Sequence, residues 1–386
     1  MARGRLEHLD GVRGAAAFSV FVCHYVQTFL PHVYYTDRAE GHGLWEADFA
    51  TSPFNIVVNG NFAVCLFFVL SGFVLSCRYL AAGDLEALRR LAVKRYLRLM
   101  LPTLGAVLLA WAILALGGYS FGAAQPITKS GMKDVYAAAV PLWTALEQGT
   151  VGAFFLGQWS LDPVLWTMQT ELFGSFLVFA LLALFGGLRM RWLVWGLAAV
   201  VFYDSYYLAF VLGVALAELS LVLGGREAPY PLVLALVTLG LWFGSYPYYG
   251  AETGLWSALP AVGSAHKPAF YHILGAFVLI LTAKLFGEAR AVFSTRPFRF
   301  LGRISYALYL IHFPLVCSVA TGLFLLLYPH LGYAGAIAVI FPVMVPVVLA
   351  ASLLFTRLVD EPAIRLSDRF ARLVMGGDKP PAKPLA

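Results

Sequence analysis

The stretch LDGVRGAAAFSVFVCHYVQTFL, residues 9–30, decides the fold. From Val12 to Leu30 it is long and apolar enough to cross the hydrocarbon core of a bilayer, which takes about 20 residues rising 1.5 Å each. It nevertheless carries Arg13 and His24. The preceding MARGRLEH has the basic character of a signal peptide. His24 and the lack of a small-residue cleavage pattern mark the segment instead as an uncleaved first span. Working outward, spans of the same kind recur at 59–80, 99–118, 161–186, 190–204, 206–224, 230–247, 268–286, 303–328 and 333–356, ten in all, with the turn FYDSYY at 202–207 dividing the fifth from the sixth.

The composition agrees. Of 386 residues, 60% are AVILMFWYC and 12% are charged, and the mean hydropathy is +0.78. Soluble domains carry about a quarter charged residues, so this chain has too few to cover a water-facing surface. The fold class is therefore all-α: a polytopic membrane protein with about ten transmembrane helices, integral and multi-pass in a plasma membrane or endomembrane. Soluble enzymes, secreted disulfide scaffolds and fibrous proteins are excluded. Cys23, Cys65, Cys77 and Cys317 fall in or beside apolar runs without CxxC spacing and read as small buried hydrophobes, with neither a disulfide framework nor a metal site.

Charge placement sets the orientation. With both termini cytoplasmic, the inner segments collect all of the 27 Lys and Arg residues except Arg38, Lys129, Lys133 and Lys267. Inner residues such as Arg3, Arg5, Lys379 and Lys383 thus account for the net charge of +6, and no nucleic acid is implied. Residues 1–372 read as one integral-membrane domain and 373–386, with GGDKPPAKPLA, as a disordered cytoplasmic tail. The outer segments 31–58 and 119–160 are long enough to build a vestibule. On the inner side, DLEALRRLAVKRYLR at 84–98 forms an amphipathic basic helix that lies on the anionic leaflet or roofs a cavity.

Titratable side chains inside spans are costly, about 2.5–3.5 kcal/mol each on insertion scales, and mark function. Arg13 and His24 are eleven residues apart, which returns to within about 20° of the same azimuth and separates them by about 16 Å along the helix. His24 and Glu171 reach similar depths in antiparallel spans. A carboxylate accepting from one imidazole nitrogen would leave the other basic, the logic of a general-base dyad. Structural readings stand beside these: a snorkelling arginine, a histidine satisfied by a neighbouring helix, a hydrogen bond that only joins two helices. Ser305, Tyr309 and His312 form a polar stripe at i, i+4, i+7, a pattern that also serves to knit helices together. Arg95 and Arg98, at i and i+3, point one way, and guanidinium forks suit phosphate. With Arg13 they place three such groups around a cytoplasmic opening below His24. Glu218 and Lys284 receive no role. No GxxxxGK[ST], GxSxG, HExxH or dinucleotide fingerprint is present.

LDGVRG at 9–14 with His24 beyond it, LFFVLSGFVLS at 66–76, KRYLRLMLP at 94–102, LWTMQTELFGS at 165–175, GRISYALYLIHFP at 302–314 and DEP at 360–362 together resemble the membrane acyltransferase 3 family, in that family's order and over nearly the whole chain. Gly174 and Ser175 after the glutamate are most similar to its fungal members, and Thr170 departs from the aliphatic residue or proline commoner there. The resemblance implies a ten-helix enzyme that moves an acyl group, usually acetyl, from cytoplasmic acyl-CoA to a hydroxyl of a carbohydrate, glycolipid or small natural product. It also implies no permanently bound cofactor. It carries the family's first-helix Arg and His onto Arg13 and His24, the paired arginines onto Arg95 and Arg98, the Trp-Thr-x-x-x-Glu block onto Trp166, Thr167 and Glu171, and the Ser-Tyr-x-x-Tyr-x-x-His run onto Ser305, Tyr306, Tyr309 and His312. His24 oriented by Glu171 would then act as general base or form an acyl-histidine, with the donor's nucleotide docked on Arg13, Arg95 and Arg98. The competing reading is a proton-coupled secondary transporter with His24, Glu171 and His312 as the relay, though the sequence lacks visible repeated halves.

Overall fold

The apolar runs fold as helices, and single residues set the breaks between them. The computed structural model describes residues 7–35, 41–251, 254–260, 262 and 267–376. Arg3, Arg5, Arg38, Lys379, Lys383 and the tail from residue 377 onward lie outside the described residues. The long helices are α1 (Glu7–Phe29), α2 (Gly60–Ala82), α3 (Leu85–Ala115), α4 (Trp166–Phe185), α5 (Arg191–Val201), α6 (Tyr207–Leu223), α7 (Tyr230–Gly244), α8 (Lys267–Leu285), α9 (Arg296–Leu315), α10 (Thr321–Phe355) and α11 (Glu361–Met375), and no strand occurs among the described residues. Among the described residues five helical stretches are long and apolar enough to cross a membrane, namely α2, α3, α4 with the residues just before it, α8 and the run from α9 through α11. α1, with its charged first turns, is not one of them, and three shorter apolar helices, α5 to α7, accompany them.

The chain turns from α2 into α3 through two residues. Gly83 takes a left-handed conformation, φ 65°, and closes α2. Asp84 then caps α3, accepting a 2.8 Å bond from the Ala87 N–H and a 2.6 Å bond from Arg78, and these partners hold its carboxyl below the usual carboxylate range. Sequence reading expects a separate amphipathic helix at 84–98 followed by a span at 99–118. Instead α3 is one helix of 31 residues that runs through Pro102. Three of its basic residues turn inward, while Arg89 stays exposed: Lys94 pairs with Asp368 of α11 at 2.8 Å, and Arg95 and Arg98 face the bundle. The chain does break between α5 and α6 at residues 202–206. Within α10, Gly332 at φ 66°, ψ 179° ends one helix and begins another, and a residue with a Cβ would be strained there. α11 buries Ala363, Ser367 and Ala371 and exposes Arg365, Arg369 and Arg372, an amphipathic helix continuing from the last apolar run.

In lipid the hydrophobic effect cannot hold helices together, so close packing of small residues does. α1 and α9 cross where a Cβ on Gly14 would overlap the backbone of Leu301 and Gly302, and one on Gly302 would overlap Asp10. This contact, together with α2 packed on α6 and on α8, fixes the centre of the bundle. Large apolar side chains such as Leu197, Val200, Leu234 and Leu354 stay exposed, as expected of a surface facing lipid. The four cysteines are buried.

Candidate active site

A cavity of about 440 Å³ opens between α1, α2, α3, α4, α9 and α11, within the range typical of ligand pockets. Five guanidiniums line it, from Arg13, Arg95, Arg98, Arg299 and Arg303, so the three expected from sequence converge and two more join them. Each already has a carboxylate neighbour. Arg95 Nη2 donates to Glu171 while its Nε donates to Ser175 Oγ at 2.8 Å. Arg98 Nη1 donates to Asp360 at 2.6 Å and its guanidinium lies 5.2 Å above the Tyr306 ring. Arg13 bridges Asp10 (2.7 Å) and Ser305 (3.2 Å). These contacts tie α3 to α4, α3 to the turn before α11, and α1 to α9. At the mouth, Arg303 meets Glu361 at 2.8 Å and holds its carboxyl below the usual range, and Arg299 lies 3.7 Å from Glu7.

The far end of the cavity is closed by Phe67 and Tyr309, whose rings meet edge to face at 5.6 Å. The Tyr309 hydroxyl is fixed by Thr167 Oγ1 (2.8 Å) and the Val164 carbonyl (2.9 Å). One ring beyond, 6.1 Å from Tyr309, lies the fully buried His312. Its Nδ1 is 2.9 Å from the Leu308 carbonyl, which can only accept, so Nδ1 carries the proton and Nε2 the lone pair. His24 Nδ1 lies 2.9 Å from that Nε2 and 3.1 Å from the Val20 carbonyl, and therefore donates. The chain of bonds leaves the Nε2 of a neutral His24 as a free base on a ring that keeps partial accessibility. Phe313 holds the other side of the ring edge to face at 5.2 Å.

Two expectations need correction. Glu171 is not the partner that orients His24; it accepts from Arg95 and, at 2.6 Å, from Ser71, and His312 takes its place. The depth reckoning fails because α4 does not start at a membrane surface. Residues 161–165 are folded into the protein, with Leu161, Asp162 and Leu165 fully buried, and bring Thr167 level with Tyr309. Glu171, one turn further along, then falls on the arginine side. The second correction concerns Trp166, which lies outside the cavity wall and packs on Tyr206 at 5.2 Å. Ser305 and Tyr309 do line the cavity, whereas His24 and His312 do not. Glu218, given no role, accepts from Arg191 at 2.9 Å and from Trp195. Sequence reasoning missed Ser71, Arg299 and Arg303. By helical spacing the two arginines lie more than about 100° around α9 from Ser305 and His312, so no signal in the sequence joined them to that stripe.

A family model described as an acyltransferase domain matches residues 6–357. The chain is similar to Acyltransferase R4 of a Phoma species, 26% identical over 400 residues covering 85% of this chain and 84% of the relative. It is also similar to Acyltransferase clz18 of Cochliobolus lunatus, 22% identical over 465 residues covering 95% of each. No solved structure matches. With its bundle of membrane-length apolar helices and a match across nearly its whole length, this chain belongs to the acyltransferase 3 family of integral-membrane acyltransferases.

Proposed function

We propose that this acyltransferase takes an acyl group, acetyl foremost, from cytoplasmic acyl-CoA and transfers it to a hydroxyl of a carbohydrate, glycolipid or small natural product. It would do so in a bundle of ten spans with both termini cytoplasmic. The observation that carries the reading is an arginine-walled cavity ending one ring short of a histidine pair whose tautomers are set by backbone carbonyls. Such a cavity suits a polyanionic head followed by a slender arm. Ser305 and His312 are seven residues apart on α9, about 10 Å along its axis, so the bases lie within an arm's reach of the cavity once Phe67 and Tyr309 give way.

In this mechanism the donor's head stays at the arginine end and its thioester passes Phe67 and Tyr309, which turn aside, to reach His24. The acceptor hydroxyl attacks the thioester carbonyl as His24 Nε2 takes its proton. The new C–O bond forms, the C–S bond breaks, and the imidazolium returns the proton to the leaving thiolate. General-base help of this kind is worth about 10²–10⁴-fold. His312 acts as a positioning residue, its Nε2 accepting the hydrogen bond from the His24 Nδ1–H so that His24 Nε2 faces the acceptor.

The test is an assay of purified protein with acetyl-CoA labelled in the acyl group and a panel of hydroxyl acceptors, scored for labelled ester and for CoA thiol. Label transfer with matching thiol release is expected. Failure to bind acetyl-CoA, or uptake of a solute into vesicles without thiol release, would contradict it.

A further inference from the structure

We infer that the donor's phosphates are gripped at the cavity mouth by Arg299 and Arg303, while Arg95 and Arg98 shape the passage beneath them. This assignment rests on the proposed acyl-CoA reading and says which guanidiniums recognise the nucleotide. The two mouth arginines are four residues apart on α9, on one face of the helix, and both line the cavity. Their side chains are half exposed, at 50% and 55% of full accessibility.

The two sets of arginines differ in what holds them. Arg95 is 16% exposed and its partner Glu171 12%; Arg98 is 24% exposed and its partner Asp360 7%. A phosphate that took either guanidinium would leave a buried carboxylate uncompensated and would itself lie beside that negative charge, an arrangement buried ion pairs resist strongly. At the mouth the opposite holds. Glu7 lies 3.7 Å from Arg299, beyond hydrogen-bond distance, and Glu361, though it accepts from Arg303 at 2.8 Å, is itself 34% exposed. Exposed pairs of this kind hold weakly. A phosphate dianion, which the forked guanidinium matches with two parallel bonds, displaces them readily. Placement agrees: along α9, His312 lies about 20 Å beyond Arg299 and about 14 Å beyond Arg303, so phosphates held there leave an arm's length for the thioester.

The test uses the full chain in lipid nanodiscs and measures binding of free CoA, of 3′-dephospho-CoA and of pantetheine, which has no phosphate. Wild-type protein should bind CoA more tightly than pantetheine. In Arg299→Gln/Arg303→Gln, CoA should weaken about tenfold or more, equivalent to about 1.4 kcal/mol, with pantetheine unchanged. Glu7→Gln, which removes the competitor of Arg299, should tighten CoA several-fold, and it decides the matter if the double variant does not fold. Wild-type CoA affinity in the double variant, or no tightening in Glu7→Gln, would overturn the assignment while leaving the acyl-CoA reading intact. A wild-type protein that binds no CoA would instead sink that reading, and this assignment with it.

Discussion

His24 Nδ1 and His312 Nε2 lie 2.9 Å apart, and the Leu308 carbonyl behind His312 fixes which of the two nitrogens carries the proton. The basic nitrogen of the site is therefore set by backbone, through a second imidazole, with no carboxylate in the chain of bonds.

Removing His312 should leave the His24 Nδ1–H with only the longer bond to the Val20 carbonyl and loosen the ring's orientation. His312→Ala is expected to lower kcat about 10²-fold, within the span that general-base help covers, with the KM for the donor little changed. His312→Gln, whose amide oxygen accepts the same proton, should recover part of the loss. Steady-state kinetics of the two variants check this, and equal rates for both would assign His312 a merely structural role.

Arg95 and Glu171 form a buried pair backed by Ser175 and Ser71. Removing one partner strands the other charge, which costs about 3–5 kcal/mol in comparable pairs. Arg95→Met or Glu171→Met alone should sharply reduce the folded fraction after heating, and Arg95→Met/Glu171→Met should recover most of it. A double variant no better than its parents would deny the coupling. Both arginines brace the bundle, Arg95 through Glu171 and Arg98 through Asp360, so removing either should lower the folded fraction as well as any donor binding.

The α1–α9 crossing leaves no room for a side chain at Gly14 or Gly302. Gly302→Ala should force the helices apart, cost about 1–3 kcal/mol as overpacking does, and lower activity by separating His24 from His312. Melting temperature and turnover, measured together, test it; unaltered values for both would contradict so close a crossing.

Tyr309 closes the cavity one ring before His312. Tyr309→Trp should narrow the passage and reduce turnover by at least about tenfold, or about 1.4 kcal/mol of barrier, while free CoA binds as before. Loss of CoA binding in step with turnover would place the donor elsewhere.

How much of this was legible in the sequence follows from what each signal measures. Apolar runs report helices well, because a chain in lipid must satisfy its backbone internally and only long apolar segments do so there. Arg13 and His24 could be placed on one helix face by angle alone, and Arg95 and Arg98 could be aimed together. The partner of His24 could not be read, because depth was counted from the start of an apolar run, and the run that opens α4 begins with buried loop rather than with helix. Asp360 was visible within the DEP motif, but nothing local says that it meets Arg98, 262 residues away in the chain. Arg299 and Arg303 were counted as loop charge, and only the fold shows that they line a cavity.

The central claim is that His24 performs the chemistry on a donor held elsewhere. Purified His24→Ala should bind free CoA as the wild type does, yet release CoA thiol from acetyl-CoA in the presence of acceptor about 10²-fold or more slowly. Release at the wild-type rate by a variant that binds CoA normally would contradict it.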